Sequence, residues 1–250
     1  MESYAINDDF VLDIYRAEVH GLAHEGMRIT LKGYRRDRSL SLLNVETAYT
    51  TASPMHISLK TSDGDVSCFL HLSSRRGGAV IWVGAAGFEP AGGVYTALSQ
   101  QLTARGISSL RLHCRFPHVL DQCILDAIAG IAFMKHKGFI PIALVGHSFA
   151  GAVVIDAGAL CSEVGMVVAL SSQVYGADLV EKVAPRPLLL IHGDADEILP
   201  AACSEILYHR AGEPKEIMIY SGTGHGLREA TDEVLELLKK RLAESLDPAR

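Results

Sequence analysis

Residues 141–156 constrain the fold of this chain most, because they join an apolar strand to an apolar helix through a turn of very small residues. Residues 142–145 are apolar and partly β-branched, which is typical of a strand. Residues 150–159 are small and apolar at a spacing that suits a buried helix. Between them, Gly146 and its small neighbours leave room for a sharp corner. The sequence therefore predicts a strand, a tight turn and a helix, with the hydroxyl of Ser148 exposed at the turn.

Most of the chain alternates short apolar runs with stretches of helical character. Residues 79–83 form an unbroken apolar run, which is typical of a strand covered on both faces. Before it, the pair Asp63-Gly64 predicts a β-hairpin. Strands that alternate with helices require right-handed crossovers, and therefore a mostly parallel sheet with helices on both faces. We predict an α/β fold with a central sheet of about eight strands over residues 54–250, preceded by a β-rich N-terminal extension over residues 1–53.

The expected element boundaries follow from apolar spacing and from glycine or proline at the ends of elements. In the N-terminal extension, residues 27–32 alternate as a half-exposed strand does, and residues 11–19 do so more weakly. The predicted strands of the central sheet are 55–59, 67–72, 79–83, 108–113, 142–145, 166–170, 187–191 and 216–220. The predicted helices are 94–105, 121–137, 150–159, 177–183, 201–211 and 228–245.

The composition narrows the class of protein. The 250 residues are 48% hydrophobic, which is enough for one sizeable core. The net charge of −6 provides no basic surface for nucleic acid. The five cysteines are odd in number and widely spaced, which indicates reduced thiols and neither a disulfide framework nor a metal site. The acidic first residues do not resemble a signal peptide, and no apolar run approaches the roughly 20 residues that span a bilayer, so we expect a cytoplasmic protein.

A reactive serine needs two partners, because its hydroxyl is a poor nucleophile until a base takes its proton and an acid holds that base. Candidates for both follow later predicted strands. Asp196 follows the strand that ends at Ile191, in a segment that reads H-G-D-A-D. His225 follows the last predicted strand and lies between two glycines. Asp194 is the alternative acid, and either aspartate could instead cap the following helix.

These segments resemble three motifs of the α/β-hydrolase family: G-x-S-x-G at the turn, H-G-x-x-D after a later strand, and G-H after the last strand. The resemblance covers residues 54–250 nearly end to end. It implies that Ser148 is the nucleophile, Asp196 the acid and His225 the base. Ala150 stands where the family has its last glycine, although a glycine follows at once.

The resemblance also implies an oxyanion hole, in which two backbone N–H groups bind the negative oxygen of the reaction intermediate. One donor is expected from Phe149, the residue after the nucleophile. The other is expected from the loop after Val83, where Ala85 is the first candidate and Ala86 the second. A dinucleotide site in this glycine-rich loop is disfavoured, because the loop lacks the G-x-G-x-x-G pattern.

The chain looks most like the dienelactone hydrolases and esterases of the family that have no large lid domain. Only about sixteen residues separate the strand that ends at Leu170 from the next strand, too few for an inserted domain. The substrate site should therefore be shallow or open, unless the N-terminal extension covers it. Arg111, Arg115, Phe116 and Tyr175 are expected on loops at the same sheet edge as the serine, where they either contact substrate or pack on the surface.

The resemblance implies a serine hydrolase that uses no cofactor or metal and cleaves a small carboxylic ester or thioester through an acyl-enzyme. An amidase or peptidase with the same residues is one alternative, and a non-catalytic ligand-binding protein on the same scaffold is another. We expect a small-molecule acyl substrate, no nucleic-acid or membrane partner, and either a monomer or a homodimer. In the homodimer, the N-terminal extension would form the interface.

Two weaker patterns lie in the N-terminal extension. His20, His24 and Glu25 would share one face of a helix, which is a possible arrangement for metal ligands. Two adjoining glycines make that helix unfavourable, so we expect no metal there. The charged residues 35–38 are expected to form a solvated turn, because no glycine-rich phosphate cradle accompanies them.

Overall fold

The structure is a computed structural model that describes residues 2–7, 10–15, 27–31, 38–47, 53–75, 77–84 and 89–246. Within these ranges, twelve strands form one sheet. The strands are β1 (Glu2–Asn7), β2 (Phe10–Tyr15), β3 (Met27–Leu31), β4 (Arg38–Thr47), β5 (Met55–Thr61), β6 (Gly64–His71), β7 (Ala79–Gly84), β8 (Ser108–His113), β9 (Ile142–His147), β10 (Val164–Leu170), β11 (Leu188–Gly193) and β12 (Lys215–Tyr220). The α-helices are α1 (Val94–Ala104), α2 (Leu120–His136), α3 (Phe149–Leu160), α4 (Ala202–Arg210) and α5 (Thr231–Leu246).

The sheet combines an antiparallel half and a parallel half. Its strand order is β1-β2-β3-β4-β5-β6-β8-β7-β9-β10-β11-β12. Neighbouring strands are antiparallel from β1 to β6 and between β6 and β8. Every later pair in this order is parallel. The eight strands β5 to β12 therefore form the mostly parallel central sheet that the sequence predicts, and the α/β-hydrolase architecture is confirmed.

Helices cover both faces of the parallel half. Helices α1 and α5 pack on one face, and α2, α3 and α4 pack on the other. Alternate residues of β7 divide between the two cores: Val80 and Trp82 lie under α1 and α5, whereas Ile81 and Val83 lie on the opposite side. All four side chains are buried. This two-sided burial explains why β7 is an unbroken apolar run.

The N-terminal strands continue the sheet beyond β5. Strand β4 pairs antiparallel with β5, and β3 pairs with β4. Ile29 on β3 and Leu40 and Leu42 on β4 are buried and belong to the same core cluster as the residues of α2. The β-rich extension therefore adds edge strands to the central sheet, beside the hairpin of β5 and β6. The division of the chain at residue 53 remains a prediction.

Most element boundaries agree with the predictions to within a few residues. Strands β1 and β4 are additional to the predictions. The helix predicted at residues 177–183 is wrong, since only a 3-10 turn at Val180–Lys182 forms there. The segment is short, and Pro185 prevents the turn from continuing as a helix. Residues 171–187 hold no other helix or strand, so no lid domain is inserted after β10.

Some expectations concern residues outside the described ranges. The possible metal ligands His20, His24 and Glu25 are among them, as are residues 35–37 of the charged segment; Arg38 begins β4. None of the helices in the described parts of the chain combines the length and the apolar character needed to cross a membrane.

Removing residues 1–53 is expected to make the protein aggregate or unfold, because it uncovers the edge of β5 and part of the α2 core. Burial of one large aliphatic side chain stabilises a fold by about 1.5–3 kcal/mol. Loss of Ile29, Leu40 and Leu42 is therefore comparable with a typical total stability of about 5–15 kcal/mol. Size-exclusion chromatography with light scattering and urea unfolding would measure the effect.

A chain that begins at residue 27 is the matched control, since it keeps β3 and β4 and should stay monodisperse. A chain of residues 54–250 that is monodisperse and as stable as the full chain would contradict the prediction. If this truncation instead converts a dimer into a soluble, active monomer, the extension is a subunit interface.

Candidate active site

Ser148 lies at the corner between β9 and α3, as the sequence predicts. Its backbone has φ 58° and ψ −119°, a strained conformation for a residue with a side chain. The strain is held by tertiary structure: the Ser148 amide donates to the carbonyl of Leu170 on the neighbouring strand β10 at 2.8 Å. The hydroxyl consequently stands beyond the carboxyl end of β9, beside the first residues of α3.

Two glycines permit this corner. A Cβ on Gly146 would lie 2.2 Å from the carbonyl oxygen of Ala150, so only glycine fits there. A Cβ on Gly151 would lie 2.6 Å from Ser172 Oγ. Ala150 itself is buried with its methyl group accommodated. The departure from G-x-S-x-G is therefore compatible with the turn, and the close approach that needs a glycine occurs one residue later.

Ser148, His225 and Asp196 form a continuous hydrogen-bonded chain. His225 Nε2 lies 3.0 Å from Ser148 Oγ, and His225 Nδ1 lies 2.7 Å from Asp196 Oδ2. A carboxylate only accepts, so Nδ1 carries the ring hydrogen and Nε2 can accept the hydrogen of the serine hydroxyl. The side chain of Asp196 is fully buried and that of His225 is 11% exposed. This arrangement can move a proton from Ser148 to His225 while Asp196 holds the ring.

The hydrogen bonds around Asp196 favour its ionised form. Burial alone would raise its pKa, but hydrogen bonds from the Leu199 amide, from His225 and from the Ile198 amide outweigh burial and hold the pKa of Asp196 below its usual range. Both amides donate to Oδ1 at 2.8 Å. The alternative that Asp196 caps the following helix is wrong, since α4 begins at Ala202 without a side-chain cap. Asp196 instead accepts the amides of the turn before α4 and also contacts His225.

Asp194, the alternative acid, binds the backbone of the loop after β12. It is exposed, and its Oδ1 accepts the backbone N–H of Gly222 at 2.6 Å. Asp194 thus ties the loop after β11 to the loop after β12, and Asp196 is the aspartate that contacts His225.

The loop that carries His225 packs closely on its neighbours. A Cβ on Gly193 would lie 2.0 Å from the carbonyl oxygen of Thr223, so glycine at the end of β11 lets this loop approach. Gly226 O accepts the Ala91 amide at 2.7 Å. His147 Nε2 lies 2.8 Å from the carbonyl oxygen of His225 and must donate to it. Burial lowers the pKa of His147 to about 4, so this ring is neutral over most of the pH range.

Two further residues complete the surroundings of Asp196. His192 Nε2 lies 3.0 Å from Asp196 Oδ2, and His192 Nδ1 lies 2.7 Å from Ser204 Oγ. His192, the histidine of the H-G-x-x-D segment, lies near the end of β11, and its ring reaches Asp196 across one turn. Ser204 had no sequence signal, since it comes from α4 and reaches the site only through the packing of that helix.

Of the candidate oxyanion donors, Phe149 lies within the described residues and Ala85 does not. Phe149 is the first residue of α3, so no helical carbonyl four residues earlier accepts its amide hydrogen. Its ring contacts the ring of His118, with centroids 5.5 Å apart. Ala85 and the second choice, Ala86, lie outside the described residues.

The four residues considered for substrate contact fall into two groups. Arg115 Nε lies 2.6 Å from Asp126 Oδ1, and the two side chains are 3% and 0% exposed. Arg111, expected on a loop, instead lies within β8, and its Nη1 is 2.8 Å from Glu89 Oε1. Both guanidinium groups are thus engaged within the fold. Phe116 and Tyr175 have large exposed fractions, 42% and 74%.

Comparison with other sequences gives only short matches. No model of a protein family matches the chain. It is 41% identical to the uncharacterized protein YfhR of Escherichia coli over 56 residues, which are 22% of this chain and 20% of the relative. It is 36% identical to the uncharacterized protein Rv2307c of Mycobacterium tuberculosis over 70 residues, 26% of this chain and 25% of the relative. The match thus spans a fifth to a quarter of the length of these curated relatives.

Solved structures match over most of the chain. An α/β serine hydrolase homologue from Coxiella burnetii has a TM-score of 0.66 at 19% identity and covers 78% of this chain and 100% of that one. Dienelactone hydrolase from Anabaena variabilis has a TM-score of 0.68 at 16% identity, and the match covers 81% of this chain and 99% of that one. XC6422 from Xanthomonas campestris, described as an α/β serine hydrolase without lid, has a TM-score of 0.64 at 17% identity, with 80% and 98% covered. This chain therefore has the α/β-hydrolase fold.

Proposed function

We propose that this protein is a serine hydrolase that cleaves a small carboxylic ester or thioester through an acyl-enzyme at Ser148. The observation that carries the proposal is the chain of hydrogen bonds from Ser148 Oγ to His225 and on to the buried carboxylate of Asp196, at 3.0 and 2.7 Å. These are the distances that a nucleophile, a general base and an orienting acid require.

The reaction proceeds in two halves. His225 Nε2 takes the proton of Ser148 as Oγ attacks the carbonyl carbon of the substrate. Asp196 stabilises the imidazolium ion that forms. The bond from the carbonyl carbon to the alcohol oxygen or thiol sulfur then breaks, and His225 returns the proton to the leaving group. A water molecule attacks the acyl-enzyme with the same help from His225, which releases the carboxylic acid and restores Ser148.

The negative oxygen of each tetrahedral intermediate needs N–H donors. The amide of Phe149 is proposed as the first donor. It is the first amide of α3, at the helix end where the helix dipole favours negative charge. The second donor is proposed to be Ala85. Each such donor is worth about 10²–10³-fold in kcat in hydrolases of this type.

Exposing the protein to a fluorophosphonate probe is expected to phosphonylate Ser148, because its partly exposed hydroxyl faces a histidine that a buried carboxylate orients. Ser204, which contacts His192, is completely buried. Intact mass and peptide mapping would locate the label. Ser162, an exposed serine just after α3, is the matched control: Ser162→Ala should label as the wild type does. A label on another residue, or none, would contradict the proposal.

Substrates with matched acyl chains separate the reaction classes. We expect turnover of p-nitrophenyl esters to exceed turnover of the corresponding p-nitroanilides, since the anilide must also have its poorer leaving group protonated. Equal rates on both series would indicate an amidase. Labelling of Ser148 without turnover of any ester, thioester or anilide would favour a ligand-binding protein.

A further inference from the structure

The buried carboxylate of Asp196 has a hydrogen-bond donor for each of its four lone-pair positions. Oδ1 accepts the backbone N–H groups of Ile198 and Leu199 at 2.8 Å each. Oδ2 accepts from His225 Nδ1 at 2.7 Å and from His192 Nε2 at 3.0 Å. The backbone therefore fixes one oxygen, whereas a second histidine fixes the oxygen that serves His225.

The neighbours of His192 determine which of its ring nitrogens carries the hydrogen. Nε2 lies 3.0 Å from Asp196 Oδ2 and 3.0 Å from the carbonyl oxygen of Leu199, and both of these atoms only accept. Nε2 must therefore be the donor. Nδ1 lies 2.7 Å from Ser204 Oγ on α4. His192 and Ser204 are completely buried, so water does not compete for these contacts.

We infer that His192, held in place by Ser204, is a positioning residue that aims Oδ2 of Asp196 at His225. This inference rests on the proposed function, because it concerns the acid of the proposed triad. His192 is completely buried, and its hydrogen bonds among the described residues are to Asp196, Leu199 and Ser204. Its contribution passes through Asp196 to the orientation of the His225 ring.

The hydrogen bond from His192 to Asp196 limits rotation of the Asp196 carboxylate. With the His192 N–H in place, rotation of the Asp196 carboxylate would break hydrogen bonds at both oxygens. Without it, Oδ1 stays bound to the two amides but Oδ2 is held by His225 alone, so the carboxylate can pivot about Oδ1 together with His225 and move Nε2 away from Ser148. Displacements of about 1 Å in such a site reduce catalysis by about 10²-fold. The effect should fall on kcat and leave KM unchanged.

Another histidine in this chain provides a matched control. His71 on β6 is 1% exposed, and its Nε2 has no hydrogen-bond partner among the described residues. Replacing either histidine by methionine removes one buried ring and fills the space with a flexible apolar side chain. The two substitutions therefore remove similar packing, whereas only His192→Met also removes hydrogen bonds, to Asp196 Oδ2, Leu199 O and Ser204 Oγ.

The test compares His192→Met, His192→Gln, Ser204→Ala and His71→Met in the full chain. We expect His192→Met to lower kcat for p-nitrophenyl esters roughly 10–100-fold with KM changed less than about twofold. His192→Gln keeps an N–H near the position of Nε2 and should recover most of this loss. Ser204→Ala should lower kcat less than His192→Met does, because it removes one contact to the His192 ring but keeps the N–H that donates to Asp196. His71→Met should have wild-type kinetics.

A measurement that does not need turnover separates this inference from the proposed function. The proton shared by His225 Nδ1 and Asp196 Oδ2 is expected to give a far-downfield ¹H NMR resonance. This resonance should shift or disappear in His192→Met and persist in His71→Met. If wild-type protein neither labels nor turns over, the proposed function fails, and the resonance still decides whether His192 positions the pair.

Three outcomes would overturn the inference. The first is a wild-type kcat and an unchanged resonance in His192→Met. The second is an equal loss of kcat in His71→Met, which would show a general packing effect. The third is a rise in KM at constant kcat. Circular dichroism tests whether His192→Met folds; where it does not fold, His192→Gln and Ser204→Ala decide. A loss of kcat in Ser204→Ala that exceeds the loss in His192→Gln supports the inference. Unchanged kinetics in both variants overturn it.

Discussion

Ser148→Ala and His225→Ala are each expected to lower kcat by about 10⁴–10⁶-fold, and the double variant is expected to be hardly worse than either single one. The reason is that neither residue works without the other: in the described part of the chain, His225 is the base that contacts the Ser148 hydroxyl, and Ser148 is the hydroxyl that contacts His225 Nε2. Removing one partner therefore removes the contribution of both. Steady-state kinetics on a p-nitrophenyl ester would measure all three variants.

Matched controls come from residues of the same types away from the site. Ser162 and His209 are exposed, the first after α3 and the second on α4. Ser162→Ala and His209→Ala should leave turnover unchanged. Losses that multiply in the Ser148→Ala, His225→Ala double variant would show that the two residues act independently. Turnover of Ser148→Ala within about tenfold of wild type would mean that another group is the nucleophile.

The convergence of Ser148, Asp196 and His225 was predictable because each follows a strand of the parallel half of the sheet. Ser148 follows β9, Asp196 follows β11 and His225 follows β12, and the carboxyl ends of these strands lie at one edge of the sheet. Three motifs far apart in the chain therefore converge once the strands are parallel. The sequence could not reveal Ser204, because its contact depends on how α4 packs against the end of β11.

The N-terminal strands were harder to predict for a physical reason visible in β4. Leu40 and Leu42 are buried, as alternation requires, but the next residue, Leu43, is 57% exposed. The pairing of β4 with β5 shifts register between Leu42 and Asn44, which is a β-bulge. Beyond the bulge Val45 packs against the core, so the apolar period of two changes phase within one strand. A search for strict alternation does not recognise such a strand.

Asp196→Asn is expected to lower kcat by about 10²–10⁴-fold while the protein stays folded. The hydrogen bonds around Asp196 explain why an isosteric change is so damaging. The side-chain oxygen of asparagine must face the amides of Ile198 and Leu199, which only donate. Its NH₂ group is then directed at His192 Nε2 and His225 Nδ1, where the wild-type oxygen accepted two hydrogen bonds.

His225 can relieve this clash only by moving its hydrogen from Nδ1 to Nε2. The ring then has no lone pair toward Ser148, and the serine proton has no acceptor. Asp194→Asn is the matched control, because the amide oxygen can still accept from Gly222, and its kcat should stay within about threefold of wild type. A nearly silent Asp196→Asn together with a severe Asp194→Asn would identify Asp194 as the acid, although its carboxylate accepts the Gly222 amide in this structure.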